Sequence, residues 1–185
     1  MKVIAAVGKN GTGKDFFLEY IRDTYGIPMV SIGDIARELA AKDGLELTRE
    51  NLHKTSQKYM GQFGQTFFPE QIVKKVRASG SPVYLISGVR PPSDVQFFKD
   101  AFGEAFLLVD IVISDDQVRY GRMLARGSAR DGSSADKLRA FDAAEEEKFN
   151  TSKSEAMADI KILNDGGKED FFAAIEAFYR EHVAG

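Results

Sequence analysis

The chain has 185 residues, 43% of them apolar, a net charge of -3 and a pI near 5.5; that suits one compact domain and needs no second one. The acidic balance gives no general attraction to a nucleic acid polymer, which would require a local basic patch. Cysteine is absent, which excludes disulfides, zinc-thiolate sites and thiol nucleophiles, and His53 and His182 alone supply imidazole, so a multi-histidine metal site is not expected and both are placed on surface helices.

The opening MKVIAAVGKNG reads as a strand entering a loop rather than a signal peptide, and no apolar stretch approaches the length of a membrane span. A cytoplasmic protein without membrane contact is expected. Val3, Ile4 and Val7 are strand formers, and Phe16, Phe17, Tyr20 and Ile21 recur at helical spacing, so a buried strand passes through a loop into an amphipathic helix. The loop, Gly8-Lys9-Asn10-Gly11-Thr12-Gly13-Lys14-Asp15, matches the phosphate-binding pattern G-x-x-x-x-G-K. Its glycines let successive N–H groups converge on phosphate oxygens, Lys14 reaches the outer phosphates, and the helix start adds the positive end of its dipole. Gly8, Asn10, Gly11, Thr12, Gly13, Lys14 and Asp15 are therefore the predicted nucleoside triphosphate contacts. Asp15 stands where Ser or Thr would ligate magnesium, and two readings stay open: a helix cap, or a magnesium ligand acting through water.

Further strands are predicted at 28–31, 82–87, 106–113 and 159–163 after the first at 2–7, separated by segments of helical period. Such alternation predicts an α/β fold with a mainly parallel sheet. Between the second and third strands, Gly33 to Ala78 lacks a strand and contains two or three helices, one of which, Glu50 to Phe63, carries Leu52, Tyr59 and Phe63 near one face. The four Phe-Phe pairs, at 16/17, 67/68, 97/98 and 171/172, are assigned to core packing. Arginines recur at 119, 122, 126 and 130 before the run Asp131-Gly132-Ser133-Ser134, and Arg119, Arg122 and Arg126 share a helical face. Like charges gathered this way repel unless an anion joins them, which points to a polyphosphate partner and a closing lid over 119–136; an exposed basic helix is the competing reading. Glu145-Glu146-Glu147-Lys148 reads as a solvated helix face.

Three further motifs make the chain resemble the P-loop nucleoside monophosphate kinase family and its dephospho-CoA kinase relatives. Ser31-Ile32-Gly33-Asp34-Ile35-Ala36-Arg37 is similar to the adenylate-kinase-type S-x-G-D-x-x-R, whose arginine binds the acceptor's phosphate. Ser87-Gly88-Val89-Arg90 is similar to the family's D-G-x-x-R or D-G-x-R turn, whose arginine also faces acceptor phosphate. Ala158 to Gly166 resembles the last strand and adenine-contacting loop of dephospho-CoA kinases, which implies Asn164 and Gly166 as nucleotide contacts. The resemblance implies a three-layer P-loop NTPase fold, a parallel five-stranded sheet flanked by helices, in one kinase domain over 1–185 with an acceptor-binding insertion at 33–78 and a short lid at 119–136. Ser87 departs from the family by replacing the aspartate that organises hydrated magnesium, so that duty is expected to pass to Asp15 or Asp34. The short lid without zinc-binding cysteines is unlike long-lid bacterial adenylate kinases, and a loop ending in G-K-D also resembles phage deoxynucleoside monophosphate kinases and animal-type phosphomevalonate kinases.

The implied activity is an ATP- and Mg²⁺-dependent transfer of the γ-phosphate to a small phosphate-bearing acceptor, a nucleoside or deoxynucleoside monophosphate. Lys14 cradles the ATP phosphates, Arg126 and Arg130 close over the transferring group, and Arg37 and Arg90 hold the acceptor. Asp34 either orients magnesium-bound water or, if the acceptor is a hydroxyl as in dephospho-CoA, takes its proton. An ATP-driven switch without a small-molecule acceptor is the alternative from another class. A monomer or small homo-oligomer is expected, with no nucleic acid partner.

Overall fold

The computed structural model describes residues 1–127 and 134–184. The first strand, β1 (Lys2–Val7), runs through the glycine loop into α1 (Lys14–Tyr25), and β2 (Met29–Ser31) follows. Three helices, α2 (Ile32–Lys42), α3 (Arg49–Phe63) and α4 (Phe67–Ser79), then precede β3 (Val83–Ser87). Next come α5 (Pro92–Phe102), a short 3-10 turn and β4 (Phe106–Val112). The chain continues through α6 (Asp116–Arg126), α7 (Ala135–Phe149), α8 (Thr151–Ala156), β5 (Ile160–Leu163) and α9 (Lys168–His182).

The five strands form one sheet in the order β2-β3-β1-β4-β5, every pair parallel. Each predicted strand is present, with ends within a residue of the expected ones. In β1, Val3 to Val7 are all buried, since a central parallel strand is covered on both faces and has no solvated side to give alternation. Val3, Ala5 and Val7 join a core with Ile35 of α2, Ile72 and Val76 of α4, and Phe98 of α5. Ile4 and Ala6 join the opposite core with Phe17 and Ile21 of α1 and Ile175 and Phe178 of α9. The molecule is thus helix, sheet, helix in three layers. In each Phe-Phe pair one ring is buried and its neighbour half-buried, because consecutive helical residues point about 100° apart.

Two features of this fold position a site. The connection from β1 passes β3 to reach β2, and the one from β3 passes β1 to reach β4, so the two leave in opposite directions and open a crevice at the C-terminal end of β1, where ligands of such sheets bind. Ser31 ends β2 and caps α2: its hydroxyl accepts from Asp34 N–H at 2.9 Å, while the Asp34 carboxylate accepts from Ser31 N–H at 2.8 Å. No helix among the described residues is long and apolar enough to cross a membrane.

Candidate functional site

The glycine loop is fixed by sterics as well as by dihedral angle. Gly8, Gly11 and Gly13 have φ of 133°, 84° and 100°, the region closed to most side chains. A Cβ at Gly8 would lie 2.4 Å from the Ile111 carbonyl oxygen, and one at Gly11 would lie 2.5 Å from Met123 Sδ. At Gly13 it would meet Asn164 Nδ2 at 2.9 Å. Thr12 is buried, with its hydroxyl donating to the Lys9 carbonyl at 3.0 Å. Lys14 opens α1, and its Nζ donates to two neutral oxygens, Lys9 O at 3.3 Å and Asn10 Oδ1 at 3.5 Å. Burial lowers the Lys14 pKa; Asp15 opposes this and Arg90 adds to it. A half-buried ammonium on weak neutral partners, beside the free N–H groups of a helix start, is a cradle that fits the phosphates of a nucleotide. Asp15 is exposed in the first turn of α1.

Behind β3 the chain turns through Gly88 (φ 79°) to Arg90, whose Nη1 donates to Glu145 Oε1 of α7 and whose guanidinium lies 5.4 Å from the Phe149 ring. The other oxygen of Glu145 accepts from Asn10 Nδ2 of the loop. Lys14, Arg90, Glu145, Ser152 and Glu155 line one cleft of about 400 Å³. Arg37 lies outside that lining and donates to Asp34 Oδ1. Both Asp34 oxygens are thereby engaged; burial would raise its pKa, but Arg37 and Ser31 outweigh that and hold it below the usual carboxylate range. Asn164, between β5 and α9, donates to the Thr12 carbonyl at 2.8 Å, so the predicted nucleotide-contacting turn touches the glycine loop; Gly166 follows it.

The arginines of α6 differ from expectation. Arg119 is fully buried and pairs with Asp142 of α7 and Asp116, and its Nη1 donates to the Asn10 carbonyl at 2.7 Å. Arg122 donates to the carbonyls of Asn164, Asp165 and Gly166 at 2.7–2.8 Å. Protein carboxylates and carbonyls join these two, so the helical spacing holds but the polyphosphate reading is corrected for both. Arg126 is the exposed last residue of α6, and Arg130 lies outside the described residues, as do 128–133 of the predicted lid as a whole.

The solvated-face reading of 145–148 also fails for its first two members. Glu145 is turned inward by Arg90 and Asn10, and Glu146 accepts from Thr151 and Ser152 at the start of α8. Asp110 and Glu155 were missed in the sequence. Asp110 sits within the buried strand β4 at 2% exposure, with Oδ2 3.6 Å from Lys161 Nζ and no hydrogen-bond partner for Oδ1. A carboxylate inside the apolar run FLLVDIV was the available signal. Glu155 of α8 carries a second buried oxygen without a partner, Oε1. Burial raises the pKa of both, Lys161 opposing it at Asp110 and Asp110 adding to it at Glu155. Among the described residues, no group of three or more His, Asp or Glu side chains is placed to hold a metal.

Comparison with known proteins supports this architecture. Residues 7–139 match the model of a family described as AAA domain. A UPF0200 protein of Thermococcus gammatolerans is 33% identical over 185 residues, covering 99% of this chain and 96% of the relative. Among solved structures, a shikimate kinase from Bacteroides thetaiotaomicron superposes with a TM-score of 0.59 at 16% identity, covering 97% of each chain. A gluconokinase from Sinorhizobium meliloti gives a TM-score of 0.53 at 15% identity over 98% of each chain. The fold is that of P-loop small-molecule kinases, and the chain belongs to the AAA domain family and, with its Thermococcus relative, to the UPF0200 proteins.

Proposed function

We propose that this UPF0200 chain is an ATP-dependent phosphotransferase that moves the γ-phosphate to a small phosphate-bearing acceptor, a nucleoside or deoxynucleoside monophosphate. The observation that carries this reading is that Lys14 of the glycine loop and Arg90 behind β3 line one cleft. A donor cradle and a second cation beside it are what transfer between two anions requires, since catalysis of this step is mainly positioning and charge compensation.

In this mechanism Lys14 donates to the outer phosphates of ATP and takes up the charge that spreads over the transferring group. Arg90 exchanges the Glu145 carboxylate for the acceptor's phosphate, an anion of similar geometry with more charge. Arg37, held by Asp34, supplies the second acceptor contact, and Arg126 and Arg130 close over the transferring group. Asn164 and Gly166 border the nucleotide. Magnesium, when bound, would neutralise charge on the phosphates, and Asp15, next to Lys14, is the residue that would hold it through water. Asp34 acts through Arg37 rather than as a free carboxylate, because both its oxygens already accept hydrogen bonds.

The test is ATP consumption against a panel of nucleoside monophosphates, deoxynucleotides, dephospho-CoA, phosphomevalonate, shikimate and gluconate, repeated with Lys14→Ala. Consumption stimulated by a monophosphate and lost in the variant is the expected result. Stimulation by a hydroxyl acceptor alone moves the assignment to hydroxyl phosphorylation. Consumption indifferent to every acceptor overturns the kinase reading in favour of an ATP-driven switch.

A further inference from the structure

Two carboxylates at the C-terminal edge of the sheet take no part in the steps above. Asp110 lies in β4 directly beside Val7, the last residue before the glycine loop. Its Oδ1 is buried without a partner, and the cation beside it, Lys161, is itself 63% exposed and 3.6 Å from the other oxygen. Glu155 of α8 presents a second buried oxygen without a partner. The two line one cavity of about 380 Å³ together with Lys9 and Thr12 of the loop, and Glu155 also lines the cleft that holds Lys14 and Arg90.

Desolvated like charges facing one cavity raise each other's energy, and a fold retains such a pair only where a proton or a cation relieves it. Position favours the cation. The pair borders the loop that brings phosphate oxygens, and magnesium binds through one or two carboxylates, substrate phosphates and waters rather than in an all-protein cage. Two carboxylates also agree with the lack of a larger ligand group among the described residues.

We propose that Asp110 and Glu155 together take a divalent cation of the magnesium and manganese class, shared with the phosphates of a nucleotide on the glycine loop. Asp110 anchors it from the sheet, and Glu155 links it to the cleft of Lys14 and Arg90. This rests on the reading that the loop binds a nucleotide.

The test uses the full chain and its Asp110→Asn and Glu155→Gln variants, each checked by thermal melting. ADP affinity is measured in EDTA, and Mn²⁺ affinity by electron paramagnetic resonance with and without ADP. With ADP present, either variant is expected to bind Mn²⁺ at least about tenfold more weakly, while ADP affinity in EDTA is kept or rises. In EDTA both variants should melt at or above the unsubstituted chain, and Mg²⁺ with ADP should raise the melting temperature of the unsubstituted chain more than theirs. If one variant does not fold, the other decides. Unchanged Mn²⁺ affinity in the folded variants, with ADP bound normally, overturns the cation site and leaves a carboxyl pair sharing a proton. Absence of ADP binding with and without metal in the unsubstituted chain overturns the nucleotide reading itself, and this inference with it.

Discussion

Two sets of arginines, one on α6 and one behind β2 and β3, have surroundings that differ in kind. Arg119 and Arg122 of α6 are spent on the protein: one is buried between Asp142 and Asp116, the other closes three carbonyls of the 164–166 turn. Arg37 and Arg90, behind β2 and β3, each hold a single carboxylate, and their side chains are 47% and 43% exposed. The first set builds the loop's supports; the second, half-exposed, is the one that the proposed transfer would have trade a protein anion for the acceptor's phosphate. A guanidinium reads the same in a sequence in both settings, so what separates them is how many of its donors the fold has already satisfied.

The largest expected effect comes from the buried set. Arg119→Ala should cost about 3–5 kcal/mol in urea unfolding, because it removes a fully buried guanidinium and leaves the mostly buried Asp142 without its cation, while Asp116 keeps Lys9. It also removes the donor on the Asn10 carbonyl, so nucleotide affinity should fall with stability. A loss below about 1 kcal/mol would place Arg119 with the exchangeable arginines and break the comparison.

Lys14→Ala should show the opposite pattern. Turnover is expected to drop by about 10²–10³-fold or more, the usual consequence of removing one charge-stabilising donor from a reacting site. Folding stability should hold or rise. The folded pKa of Lys14 lies below its unfolded value of 10.5, so the folded state disfavours the ammonium, and the variant removes that cost. A Lys14→Ala protein that unfolds as easily as Arg119→Ala would show that the lysine supports the loop rather than a ligand.

How far these roles could be read from the sequence follows the same division. The loop and five strands were legible because both rest on local pattern: glycines at fixed offsets and apolar runs without alternation. The helical spacing of Arg119 and Arg122 was legible too, but their partners Asp142 and the 164–166 carbonyls lie 23 to 44 residues away and meet them only in the folded chain. Glu145 misled for the same reason, since a run of glutamates on a helix looks solvated until Arg90 is packed against it. Asp110 alone was locally conspicuous, a charge inside a strand otherwise built for a two-sided core.

Asp94 extends the comparison to an anion. It lies in the first turn of α5, four residues after Arg90, and burial pushes its pKa up to about 6. Its unfolded value is near 3.8, so between about pH 4 and 6 the folded state holds more proton than the unfolded chain. Stability attributable to this group is therefore full below about pH 4 and declines as pH rises towards 6. Asp94→Asn should abolish that slope and raise stability at pH 7 by on the order of 1–3 kcal/mol, measured by urea unfolding across the pH range. An unchanged slope would mean that the helix N-terminus compensates the carboxylate in place of a cation.

The smallest stability effects belong to the exchangeable arginines, and these divide the readings most sharply. Arg37→Ala and Arg90→Ala should each cost no more than about 1 kcal/mol, as half-exposed ion pairs do. Each should nevertheless raise the KM for the acceptor by about tenfold or more, since a charge-assisted contact to phosphate is worth at least about 1.4 kcal/mol when desolvated. Arg90 carries the finer distinction. Its partner Glu145 is 15% exposed and keeps its bond to Asn10 when the arginine is gone, so the stability loss should sit at the upper end of that range. Glu145→Gln should then lower the acceptor KM, because it weakens the anion that the acceptor has to displace. If Glu145→Gln raises KM instead, the carboxylate is aligning Arg90 for its ligand, and the two arginine sets differ in exposure but not in how tightly the protein fixes them.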